Sequence, residues 1–154
     1  MENIILPLHI AVLVFTAWNI FKADHLGFEW MTGKKPLLDE NVIKKYHHRT
    51  LIGLILMVTT GFLLFLPMKE YLLGRTQFYV KMGFVFALIT NSFAIGNLLK
   101  VPTQKTFASL TSREKIPLLI SGVTSTVCWL GAATGGFYLL PWAQPLAFRH
   151  KLIA

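Results

Sequence analysis

TLIGLILMVTTGFLLFL, from Thr50 to Leu66, decides the fold class: it carries no charged side chain and stops at Pro67. A helix needs roughly 20 mostly apolar residues to cross a bilayer core about 30 Å thick. Three other stretches have the same character: Ile4 to Ala23, Phe78 to Leu99 and Ile116 to Leu140. The first is interrupted only by Pro7, His9 and Asn19. Pro7 and Pro117 fall in first turns, where a missing N–H is tolerated. Hydrophobic residues make up 54% of the 154 residues and charged residues 14%, against roughly 25% charged in a soluble domain. The sequence predicts one all-α domain, an integral membrane four-helix bundle.

The charges lie almost wholly between the apolar blocks, and the formal net charge is +8. This is the pattern of basic loops beside the anionic headgroups of a lipid bilayer, and it argues against nucleic acid as a partner. Lys22, Lys34, Lys35, Lys44, Lys45, Arg49, Lys100, Lys105, Arg113 and Lys115 fall on one side of the bundle. Lys69, Arg75, Lys81, Arg149 and Lys151 fall on the other. Basic residues accumulate in cytoplasmic loops. The expected location is therefore the cell membrane, with the first and third connections cytoplasmic and both termini outside. Met1-Glu2-Asn3 offers no basic n-region and no small-residue cleavage site follows, so the first block reads as a retained helix. Lys81, just inside the third span, is expected to snorkel outward. The longest connection, Asp24 to Arg49, contains the turn-forming Thr32-Gly33-Lys34-Lys35-Pro36 and a short amphipathic helix from Asp39 to His48 with Asp39 as its cap. Ser112 to Lys115 is assigned to the third connection. Trp30 and Trp142 read as interface anchors.

The fourth span is rich in small residues: Ser121, Gly122, Ser125, Gly131, Ala132, Ala133, Gly135 and Gly136. Small residues one turn apart let helix backbones approach closely in lipid. They serve packing inside the bundle, or a homo-oligomer or membrane complex formed through that helix. Asn91, Ser92 and Asn97 read as interhelical hydrogen-bond partners.

Cys128 is the one cysteine, so no internal disulfide forms, and no CxxCH marks a c-type haem. No Walker loop, GxSxG, HExxH or dinucleotide fingerprint is present. The chemistry left is that of histidine. His9 lies inside the first span, where ionisable groups are costly and often functional, as a ligand or a proton carrier. His25 closes that span, and His47 and His48 open the second, on the same membrane face. With Asp24 and Glu29 they make a candidate site for iron, copper or zinc. Two imidazoles on neighbouring helices also suit a b-type haem. The bland alternative is a polar fringe flanking two helices. His9 and His25 are about 24 Å apart along a regular helix and about 160° apart around it, so they cannot share one metal. His47 and His48 diverge by about 100°, so at most one faces a given site. His25 with His47 or His48 is the better pair, because both ends lie at one membrane depth.

Leu8-His9-Ile10-Ala11-Val12-Leu13 resembles the opening of small bundle proteins of the CopD and HemJ type. His47-His48-Arg49-Thr50-Leu51-Ile52-Gly53, with Met57 and Thr60-Gly61, resembles the second helix of those proteins and of membrane b-type cytochromes. Tyr79-Val80-Lys81-Met82 looks like CopD-type sequence as well. The resemblance covers about 100 residues. It implies a four-helix bundle that handles haem b or a porphyrin, with His9 and His47 or His48 as ligands. The third and fourth spans have no histidine, which departs from the pattern of a bundle that carries electrons across the bilayer on two haems. The function expected is a membrane redox protein of this kind. The alternative is a non-enzymatic subunit or scaffold that packs through the fourth span. A small transporter ranks last, because no internal repeat or broken helix is visible.

Overall fold

Asp39 fixes where the second long helix begins. Its carboxylate accepts the backbone N–H groups of Asn41 at 2.8 Å and Val42 at 3.2 Å, two of the donors that a helix start leaves without partners. The computed structural model describes residues 2 to 139 of the chain. Its helices are α1 (Glu2–Met31), α2 (Glu40–Leu73), α3 (Thr76–Leu98), the single turn α4 (Val101–Gln104) and α5 (Ser112–Tyr138), with a 3-10 turn at Phe107–Ser109. Four helical stretches are long and apolar enough to cross a membrane: Ile4–Met31, Glu40–Leu73, Thr76–Gln104 and Ser112–Tyr138. Large apolar side chains face outward, with Phe86 73% and Phe93 72% exposed. Such faces suit lipid better than water.

The helices are longer than the apolar blocks, which corrects several boundaries. The expected loop from Asp24 to Arg49 is mostly helix: α1 continues to Met31, and the Asp39–His48 segment is the first part of α2. Only residues 32 to 39 connect the two helices. Gly33 reverses the chain there with φ of +77°, a left-handed conformation that costs glycine nothing. Pro67 does not end α2, which runs on to Leu73; a proline removes one backbone bond, and the flanking bonds carry the helix past it. Ser112 to Lys115 is the first turn of α5 and not connection, because Thr111 and Glu114 form a capping box. Of the positions read from sequence, Leu140, Trp142, Arg149 and Lys151 lie outside the described residues.

Helix α1 packs along α2, and α3 along α5. In the first pair Thr16 is wholly buried, its hydroxyl donating to Val12 O at 2.7 Å, and it lies directly over Gly53. In the second pair the phenyl ring of Phe84 covers Gly131, and Lys81 crosses Gly135. The small residues of the fourth span thus admit side chains of α3, as close packing requires. Asn91 and Ser121 join the same two helices twice: Asn91 Nδ2 donates to Ser121 O, and Ser121 Oγ donates to Asn91 Oδ1, both at 2.9 Å. Leu54 of α2 packs with Leu88, Cys128 and Ala132 and ties the two pairs into one bundle.

The first and third connections form a joint cap at one end. Trp30 is buried with Leu38 and Leu110, meets Phe107 edge-on at 5.2 Å, and donates its indole N–H to Lys105 O at 3.1 Å. Trp30 is therefore the centre of a small core and not an exposed interface anchor. Leu38 N–H donates to Pro102 O at 3.0 Å, and Lys105 pairs with Glu114.

Candidate functional site

His9 is the histidine that the fold orients. It stands two turns into α1, half-buried against α2, with Nδ1 2.6 Å from Thr60 Oγ1. The tautomer follows from the hydroxyl. A threonine has one proton to give, and Thr60 gives it to Leu56 O, one turn back, at 2.7 Å. Both contacts are hydrogen bonds only when Nδ1 of His9 is the donor, and in that tautomer Nε2 keeps its lone pair. An imidazole whose one nitrogen is held by a hydrogen bond and whose other nitrogen is free is the state that metals and haem iron bind. Gly61 lies beside the ring, and a Cβ there would stand 3.5 Å from its Cε1.

Lys81 brings a positive charge to the α3–α5 pair. Its stem crosses the Gly135–Gly136 pair of α5, and a Cβ at Gly136 would stand 3.0 Å from the ammonium. The two glycines leave Lys81 room to lie across α5. It has no carboxylate partner among the described residues. The sequence reading passed over Lys81 and Thr60 as members of the site. The signals were there in the Gly135-Gly136 step and in Thr60, one heptad beyond Gly53 on the face that meets α1.

The other histidines are placed differently. His25 is an exposed residue of α1 whose ring lies 6.5 Å from that of Phe21. Helix α1 is continuous through both His9 and His25, so the separation of about 24 Å applies. His47 and His48 are both inside α2; His47 is half-buried and His48 is exposed. His47 lines a cavity of about 30 Å³ between α2, α3 and α5. Among the described residues, no three His, Cys, Asp or Glu side chains come together to hold a metal ion. The grouping of Asp24, His25, Glu29, His47 and His48 is thus not assembled as a metal centre there.

Asn91 behaves as the interhelical partner expected of it. Ser92 instead donates to Ile89 O in its own helix at 2.7 Å, and Asn97 is exposed. Fold and site together define an all-helical chain with four helices able to cross a membrane and an oriented histidine between two of them. Comparison with protein-family models, with curated proteins and with solved structures found no match.

Proposed function

We propose that this chain is a multi-pass protein of the cell membrane that handles haem b or a related porphyrin, with His9 as its principal contact. The observation that carries the reading is the His9–Thr60 bond, which leaves an imidazole lone pair free at membrane depth. The donor set fits the group. His9 Nε2 would serve as a ligand for iron, and Lys81, with no carboxylate partner among the described residues, would meet a propionate. Haem bound there would supply one-electron chemistry; the chain would supply the imidazole nitrogen of His9, held through Thr60, and the countercharge of Lys81. His25 and His48 are exposed, and among the described residues no hydrogen bond orients the ring of His47, so these three are secondary candidates. The resemblance to CopD- and HemJ-type bundles points the same way.

Titrating the purified protein with haemin and with metal-free protoporphyrin tests this. Saturable binding of haemin with a shifted Soret band is expected. The second reading, a non-enzymatic subunit packing through α5, is favoured by Gly122, where a Cβ would meet nothing within 4 Å, beside the exposed Val123. A folded protein that binds neither compound and purifies as a complex or oligomer would establish that reading instead.

The ten-to-five division of Lys and Arg favours a cytoplasmic joint cap with the α2–α3 turn outside. With Cys128 buried, single cysteines at Lys34 and Gly74 report the sides. A membrane-impermeant thiol reagent added to intact cells is expected to label Gly74→Cys and not Lys34→Cys. The opposite pattern reverses the orientation.

A further inference from the structure

Most carboxylates at the joint cap are committed to the fold. Glu29 pairs with Lys35 at 2.7 Å and Glu40 with Lys44 at 2.6 Å. Glu114 holds Lys105 and closes the capping box of α5, and Asp39 caps α2. Among the described residues of that end, Asp24 is the carboxylate left over. Lys45 and Arg49 stand one turn apart on α2, both exposed and neither in an ion pair among the described residues. Side chains at positions 45, 49, 52 and 56 of one helix project within about 60° of one another. The stripe that starts at the two bases therefore continues in Ile52 and Leu56, which are both exposed. Arg49 is the last charged residue before the uncharged run from Thr50 to Leu66, so it marks the edge of the part of α2 that suits lipid. Lys45 lies about 6 Å farther out along the axis, at the depth of a bilayer's headgroup layer. Helix α5 has a single base in this position, Arg113 above the exposed Ile116 and Ile120, since Lys115 is turned onto the ring of Phe107.

We propose that Lys45 and Arg49 hold the phosphate of an anionic phospholipid whose acyl chain lies along Ile52 and Leu56. A guanidinium presents paired N–H groups that match two phosphate oxygens, and the ammonium one turn away adds a point charge. The hydrocarbon of one leaflet, half of about 30 Å, spans roughly ten residues of helix. An acyl chain that starts beside Arg49 therefore runs past Ile52 and Leu56. Charge selects the lipid. A zwitterionic headgroup brings its own cation up to the two bases, and an anionic headgroup does not. Each base near an anionic lipid surface favours it about fivefold. The inference rests on the chain lying in a bilayer and does not depend on porphyrin binding at His9.

Photo-crosslinking of the full chain in vesicles of equal parts phosphatidylglycerol and phosphatidylcholine tests this. The probe is Ile52→p-benzoylphenylalanine, and mass spectrometry identifies the lipid attached to it. Phosphatidylglycerol adducts are expected to exceed phosphatidylcholine adducts by at least about fivefold. Lys45→Gln with Arg49→Gln should bring the two close to equality. Arg49→Gln alone should lower the ratio in the same direction and serves if the pair misfolds. Equal adducts with both bases present, an excess that persists in the double variant, or cross-links between two copies of the chain in place of lipid would overturn the proposal and leave the membrane reading standing. Adducts with neither lipid would overturn both.

Discussion

Gly53→Leu is expected to take the α1–α2 pair apart. Even a Cβ at position 53 would overlap the hydroxyl of Thr16 and stand 2.8 Å from its methyl carbon. Thr16 has nowhere to turn: it is wholly buried and its hydroxyl is committed to Val12 O. Overpacking a tight contact typically costs about 1–3 kcal/mol, occasionally more. A leucine at a helix crossing belongs at the upper end, because the backbones themselves must separate. The expected loss is about 3 kcal/mol, roughly 10 °C in melting temperature for a chain of this size. Gly122→Leu is the control, since a side chain there meets nothing within 4 Å, and its melting temperature should be unchanged. Exchanging the partners tests the cause. Gly53→Ala alone should destabilise, and Thr16→Gly added to it should restore most of the loss. Failure of that rescue would mean that position 53 acts through something other than Thr16.

His9→Ala is expected to abolish haem binding. Removing a hydrogen-bond partner behind a metal-bound histidine typically lowers affinity about 10–100-fold. Thr60→Val is expected in that range, because it removes the acceptor for Nδ1 and leaves the ring in place. Losing the ring itself must cost more, so the dissociation constant for haemin should rise more than about 100-fold. Lys81→Met keeps a long apolar stem over Gly135 and removes only the charge; it should weaken haemin binding less than His9→Ala does. His25→Ala, His47→Ala and His48→Ala together should leave most of the binding intact. If the triple variant loses the haem and His9→Ala keeps it, the ligand lies at the other end of the bundle.

The four long apolar helices were legible because a bilayer-length apolar block is a strong signal. The helix ends were not, for a physical reason. Hydropathy marks the part of a helix that suits lipid, whereas capping groups decide where the helix starts and stops. Asp39, Gly33 and the Thr111–Glu114 box set the ends of the described helices well outside the apolar blocks. Asp39 was read correctly as a cap, yet the helix it opens does not end at His48. Trp30 illustrates another limit. An aromatic beside a span reads as an interface anchor, and its burial depends on Leu110 and Lys105, far along the chain. At the candidate site, His9 stood out as an ionisable group inside an apolar block. Its tautomer depends on Thr60, 51 residues away, and the lie of Lys81 depends on two glycines of α5. Such pairings arise from the packing of helices and leave no periodic trace in sequence.

The absorption spectrum of the protein purified from membranes of haem-replete cells tests the proposed function most directly. A Soret band that shifts on reduction, present in the wild type and missing from His9→Ala at equal yield, is the expected result. A folded wild-type protein without a Soret band, still colourless after incubation with haemin, would contradict it.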